Sequence, residues 1–433
     1  MTLERIPPGP VEAYNTQAEL LGWLRGQFER FGDIYRASIY GAPAYVVSAP
    51  EYAEHVLLKN WQNYTKGQAI KRIALLLGKG LMVSEGEFWI SQRRMIQPAF
   101  HRKAIGALSG LIVQANRELL TEWERAAGSG SAVNVTRDLS RTVLQVVLRS
   151  IFGEDYAEVA PRFQILTDQP ERNLQFAESF KPLADIVIQV AVHRRSAACP
   201  ANDILGMLMQ AKERDGGQPM PDRQLAKEIL TLVVAGHETT ASVLNWTWYL
   251  LSQHPAVEER LREELDGLAM SGFPGLDELP KYAYTQQVIE EAMRLYPPGW
   301  LMTRKALKDD RLGEYFVPAG TEIYISPYLI QRHPKLWEAP DSFNPDRFGA
   351  GEPQQRHPLA MLPFSAGPRN CIGEFLARIE MQIHVMMIAA RLRLGLAPGE
   401  PPEWVAGVNL LSRHDFIMVP RLRPPRAGES AVP

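Results

Sequence analysis

Apolar and polar positions change period several times along the chain. From Arg36 to Ser48 β-forming residues dominate, broken by Gly41-Ala-Pro43, which predicts a β-hairpin. From about residue 50 to 300 the spacing is that of helices, interrupted by loop signals at Gly128-Ser-Gly-Ser131 and Asp215-Gly-Gly217. A second β-rich stretch follows, with Glu314-Tyr-Phe-Val317 and Thr321 to Ser326 flanking Pro318-Ala-Gly320. Prolines recur through 333–370 and mark an irregular segment, after which a last helix is predicted from near Cys371 to about Arg393. The fold class expected is mainly α with a smaller β portion. One large domain over 1–433 is expected, with an ordered core over about 5–420 and a flexible tail over 421–433.

One helix stands out by length. Pro221 at a first-turn position and Asp222 open an apolar pattern that ends before Pro255. About 32 residues at roughly 1.5 Å each give a helix of about 48 Å, enough to cross a large domain. At its middle lies Ala235-Gly236-His237-Glu238-Thr239-Thr240. Ala235, Glu238 and Thr239 are related by i, i+3 and i+4 and are expected on one face. Gly236 weakens the helix by about 1 kcal/mol relative to alanine, and Thr239 can bond back to the preceding turn. A zinc-protease reading of His237-Glu238 fails because Ala241 stands where the second histidine belongs.

Composition narrows the classes. Forty-seven Lys and Arg against 49 Asp and Glu give a net charge of −2, which excludes a strongly basic nucleic-acid binder. The longest apolar runs, Leu232–Ala235 and Val385–Ala390, fall far short of the roughly 20 residues a membrane span needs. No signal peptide precedes Pro7-Pro-Gly-Pro10. Two cysteines, Cys199 and Cys371, exclude a disulfide scaffold and fit a reducing, cytoplasmic compartment. Cys199 reads as structural.

Cys371 lies between a Gly/Pro-broken loop, Met361-Leu-Pro-Phe-Ser-Ala-Gly-Pro-Arg-Asn370, and the last helix. A helix N-terminus favours thiolate over thiol. Gly367 and Gly373 leave room for a flat, bulky group, and Arg369 supplies a cation. A phosphatase loop is excluded, since Ala377 occupies the position that chemistry gives to arginine. A buried structural cysteine remains the plain alternative.

Phe364-Ser-Ala-Gly367-Pro-Arg369-Asn-Cys371-Ile-Gly373 resembles the haem-binding signature of the cytochrome P450 family, Phe-x-x-Gly-x-Arg-x-Cys-x-Gly. The resemblance implies a haem-thiolate monooxygenase, with Cys371 as the axial ligand of haem b. Ala235 to Thr240 is similar to the family's oxygen-activation motif, so Glu238 and Thr239 would relay protons to dioxygen, Gly236 would let oxygen and substrate approach the helix, and His237 would point away. Glu291-Ala-Met-Arg294 and Arg347, in Phe343-Asn-Pro-Asp-Arg-Phe348, resemble the family's buried charge network, a structural triad. Trp89 and Arg93, at i, i+4, with Arg304 and Arg369, are the implied propionate partners, and Tyr64 and Lys66 are weaker ones.

By the same resemblance the substrate pocket takes Ile70, Ala74, Leu75, Leu81, Val234, Ala235, Trp300, Leu301, Met302, Leu410 and Leu411. Their apolar character fits a neutral lipophilic substrate such as a terpenoid, or a fatty acid held at the mouth. No anchor stands ahead of residue 7 and no flavin or ferredoxin domain is legible, so NAD(P)H electrons would arrive through a separate ferredoxin or flavodoxin and its reductase, docking on Arg93, Arg94, Arg102, Arg369 and Arg378 of a monomer. Two alternatives stay open: a peroxide-driven or isomerising enzyme of the family, and a haem sensor or gas carrier without turnover.

Overall fold

Tyr40 and Gly41 both adopt positive φ, 53° and 76°, and so close a two-residue turn of the type that matches the strand twist. In the computed structural model this turn joins β1 (Ile34–Ile39) to β2 (Ala42–Val47), as the sequence predicts. The structure describes residues 5–10, 12–15, 20–168, 180–197, 202–213, 217–266, 275–349, 356–399 and 402–423, without the side chains of 71–73, 75 and 76. Cys199, the side chain of Leu75 and the end of the tail lie outside them.

The remaining strands are short: β3 (Tyr64–Lys66), β4 (Val133–Asn134), β5 (Met302–Ala306), β6 (Asp310–Leu312), β7 (Tyr315–Val317), β8 (Glu322–Ile325), β9 (Leu392–Leu396), β10 (Trp404–Ala406), β11 (Leu410–Ser412) and β12 (Ile417–Leu422). A five-stranded sheet has the order β1-β2-β8-β5-β3. The two segments flanking Pro318–Gly320 do not pair with each other. β7 pairs with β6, whereas β8 enters the large sheet parallel to β2 and antiparallel to β5. Every residue of β8 is buried, Glu322 included.

The central helix runs Asp222–Gln253, with Pro221 one position earlier than expected, as its N-cap. Its main partner is the helix Val135–Phe152. Trp246 of the central helix stacks on Tyr296, with ring centroids 3.9 Å apart and planes 2° from parallel. Tyr296 ends the helix Ala283–Leu295 just before Pro297, so the stack fixes where the chain leaves for β5. The last helix, Glu374–Arg391, starts three residues after Cys371 and packs on Arg102–Ser129. Among the described residues no helix is long and apolar enough to cross a membrane.

Candidate functional site

The chain from Phe364 to Cys371 is a tight loop closed by the Cys371 amide, which donates to the Phe364 carbonyl at 2.9 Å. Ser365 and Gly367 sit at positive φ, 61° and 73°. The loop ends one turn ahead of the last helix, so Cys371 faces a cavity of about 1520 Å³ bounded across from it by the middle of the central helix. Ala235, Gly236, Thr239 and Thr240 line that opposite wall. The Thr239 hydroxyl donates to the Ala235 carbonyl at 2.7 Å, as back-bonding predicts.

Burial pushes the Cys371 thiol above its ordinary range. The amides of Gly373 and Glu374 and the Arg93 guanidinium pull it back only in part, and the Glu374 carboxylate adds to the rise.

The description "Cytochrome P450" matches the chain over residues 11–192 and 159–414. The protein belongs to the cytochrome P450 family. Its relatives include cyclooctat-9-en-7-ol 5-monooxygenase of Streptomyces melanosporofaciens, 32% identical over 85% of this chain and 84% of the relative. Another is LUTEIN DEFICIENT 5 of Arabidopsis thaliana, a chloroplastic protein 30% identical over 91% of this chain and 72% of its own. A solved structure described as retinoic acid bound cyanobacterial CYP120A1 shares the fold, with TM-score 0.86 and 24% identity over 97% of this chain and all of the other. The chain is thus a P450 monooxygenase, and the family implies haem.

The residues at hand fit that group. β3 and β5 pair so that Lys66 lies opposite Arg304, a like-charge arrangement that is unfavourable without an anion between them. Burial, then Arg369, pushes Lys66 down to about 7, with Arg304 adding to the fall. Burial and Arg369 likewise hold Arg304 at about 10. Lys66, Arg93, Arg304 and Arg369 all line the cavity. Against them stands Glu85, which accepts from Arg369 and from the Lys66 amide. Two haem propionates would offset most of this excess. Arg369 also lies 4.2 Å over the Trp89 ring, and Arg93 donates to the Asn370 carbonyl and side chain at 2.8 and 2.9 Å. Tyr64 turns away and donates to Asp310 at 2.6 Å.

Glu291, Arg294 and Arg347 meet as expected. Arg294 makes a bidentate bond to Glu291 at 2.6 and 2.8 Å with both side chains fully buried, and Arg347 reaches the same carboxylate at 3.2 Å. The remaining Arg294 donors go to the carbonyls of Gln331, Pro340 and Ser342.

Glu238 does not share the cavity face with Thr239. Neighbours on a helix are about 100° apart, and Glu238 is turned to the flank, where its carboxylate accepts from Asn409 at 2.5 Å. His237 points away, with its Nε2 on Ser140 at 2.9 Å. Of the pocket residues, Ile70, Leu81, Ala235, Trp300, Leu301, Met302 and Leu411 line the cavity. Ala74, Val234 and Leu410 do not: Val234 packs on the main core, and Leu410 is fully buried on the opposite face of β11 from Leu411. Gly367 is also behind the wall, against Leu57.

The sequence reading missed Val147, Ser150 and Ile151, which reach the cavity from a helix that carries no motif. It also missed Glu380, buried in the last helix, with one oxygen lacking a hydrogen-bond partner and burial holding its carboxyl well above the usual range. The only signal for it was a charge on a helix otherwise apolar at that level. The five arginines expected to form a docking patch are largely engaged: besides Arg93 and Arg369, Arg102 pairs with Asp277, and Arg378 with Glu374 and Glu290.

Proposed function

We propose that this P450 inserts one oxygen atom of O2 into a large, neutral, lipophilic molecule of isoprenoid type, using NAD(P)H electrons delivered by a separate ferredoxin or flavodoxin and its reductase. The carrying observation is how charge is distributed around the cavity. Its charged lining residues are Lys66, Arg93, Arg304, Arg369 and Glu380, while the wall formed by Ile70, Leu232, Val243, Leu301, Val405 and Leu411 is apolar. An uncharged substrate loses least on entering such a wall. A relative named for cyclooctat-9-en-7-ol supports the substrate class.

Haem held through the Cys371 sulfur would supply a redox-active iron for the reduction of dioxygen. Lys66, Arg93, Arg304 and Arg369 would hold its propionates, and Phe364, Ala235 and Gly236 would lie beside its ring. The apolar wall excludes bulk water, so protons must come through the protein. Thr239 positions the water that hands them over at the cavity surface. Its own proton is held by the Ala235 carbonyl, which leaves the oxygen's lone pairs to accept from a water. Glu238 is the acid from which protons enter, one residue away and out of the cavity.

The test is a panel of retinoids, cyclic terpenoid alcohols and fatty acids, read by the shift of the Soret band and then by turnover with a surrogate ferredoxin and its reductase. Neutral isoprenoids should shift the band and gain one oxygen atom derived from O2. Binding confined to hydrophilic or charged molecules, or oxidation that proceeds with peroxide but not with NAD(P)H and O2, would overturn the reading.

A further inference from the structure

We propose that Asn409 is a positioning residue for proton delivery: its amide holds the Glu238 carboxylate at the edge of the cavity and ties that acid to the wall a substrate touches. The inference rests on the reading of Glu238 as the acid through which protons enter.

Asn409 ends the three-residue turn between β10 and β11, 171 positions from Glu238 along the chain. Its Nδ2 donates to Glu238 Oε2 at 2.5 Å, and Glu238 as a whole is only 8% exposed. A hydrogen bond to an ionised acceptor in such a setting is roughly twice as strong as a neutral one. Asn409 itself lines the cavity, whereas Glu238 does not. The amide is therefore a link between the acid and the cavity.

The surroundings make the link responsive. The strand after Asn409 is pinned to the central helix and to the chain before β5. Ser242 donates to the Leu410 carbonyl at 2.8 Å, Asn245 to Ser412 at 3.0 Å, and the Leu410 amide to Pro298 at 3.1 Å. Before the turn, Trp300 donates to the Gly407 carbonyl at 3.0 Å. Between these fixed points Val408 stands 65% exposed while lining the cavity mouth. A ligand pressing on Val408 can move the tip without moving the strands that flank it, and Asn409 is where that motion meets Glu238. Asparagine suits the task chemically. It presents an N–H donor with no charge of its own, whereas aspartate would set two carboxylates against each other and leucine would keep the volume without the donor.

Two measurements on the haem-loaded protein test this. The first is infrared difference spectroscopy with 13C-glutamate labelling on binding of 1-dodecylimidazole, whose ring nitrogen takes the iron while its chain fills the cavity, whatever the natural substrate. A carboxylate band that shifts in the native protein and is missing in Glu238→Gln belongs to Glu238. Its response should vanish in Asn409→Leu and return in Asn409→Gln. The second is substrate-free NAD(P)H consumption with surrogate redox partners. Glu238→Gln and Asn409→Leu should each slow it roughly tenfold, the loss expected for one charged hydrogen bond. The double variant should be no slower than Glu238→Gln.

An infrared response that survives in Asn409→Leu, or a double variant slowed by the product of the two single factors, overturns the proposal. If Glu238→Gln itself keeps the native rate, the reading of Glu238 as the proton entry fails instead, and the infrared result still decides whether Asn409 governs the carboxylate. The reduced carbon monoxide spectrum of each variant separates either result from lost folding.

Discussion

A Cβ on Gly367 would stand 2.1 Å from the carbonyl oxygen of Leu57. The loop that presents Cys371 is seated backbone against backbone on the segment His55–Lys59, and Gly367 also needs its positive φ of 73°. Gly367→Ala should therefore cost about 3 kcal/mol or more, because neither the Leu57 backbone nor the alanine conformation can yield cheaply. Thermal unfolding and haem content after purification check this. Native values for both would refute the close seating.

Cys371→His should abolish the red-shifted band of the reduced carbon monoxide complex after which the family is named, even where haem is retained. A variant that keeps the band would mean that another group ligates the iron.

Thr239→Ala should hold haem and keep the Soret shift caused by substrate, since the hydroxyl bonds only to its own helix turn at Ala235. Product formed per NAD(P)H should drop several-fold, with the missing electrons recovered as hydrogen peroxide. Unchanged coupling would move the hand-over of protons to Thr240 or to a water that Thr239 does not hold.

Arg294 spends its donors on Glu291 and three main-chain carbonyls, a fan that only a planar guanidinium can fill. Arg294→Lys should thus behave almost like Arg294→Ala, with a loss of about 3–5 kcal/mol and poor haem retention, because the Glu291 carboxylate is left buried and half-satisfied. Arg347→Lys, at the more open end of the network, should cost less. Chemical denaturation of the three variants ranks them.

His384 should make the fold acid-sensitive. It is fully buried, accepts from the Trp248 indole at 2.8 Å, and its other ring nitrogen meets Asn116 at 2.6 Å. Burial holds its pKa down at about 3, against an ordinary 6.5. Between those values the unfolded chain binds a proton that the folded one refuses, so stability falls as pH drops below about 6.5, by up to about 1.4 kcal/mol per pH unit. The difference in melting temperature between native protein and His384→Gln should therefore narrow from pH 7 to pH 5. A constant difference would show that His384 is protonated in the fold.

How much of this was legible beforehand depended on whether a signal was local. The long helix, the hairpin at Tyr40-Gly41 and the cysteine loop announce themselves in consecutive residues, because periodicity, turn chemistry and glycine placement act over a few positions. The Glu291–Arg294 pair is one helical turn apart and was readable for the same reason. Nothing local told that β8 would lie parallel to β2, that Lys66 would face Arg304, or that Val147 would reach the cavity. Each of these depends on which elements become neighbours in space. Glu238 shows the boundary most sharply. Its sequence fixed it beside Thr239 on one helix, and the motif implied a shared face, yet a rotation of about 100° per residue and an asparagine 171 positions away turned it to the flank. The sequence by itself determined which chemistry this protein carries: a cysteine in a glycine-relieved loop, a threonine at a weakened helix midpoint, and cations in reserve. Only the tertiary structure decided which of those groups face one another, because burial and long-range hydrogen bonds, not spacing, choose the side of a helix that looks onto the cavity.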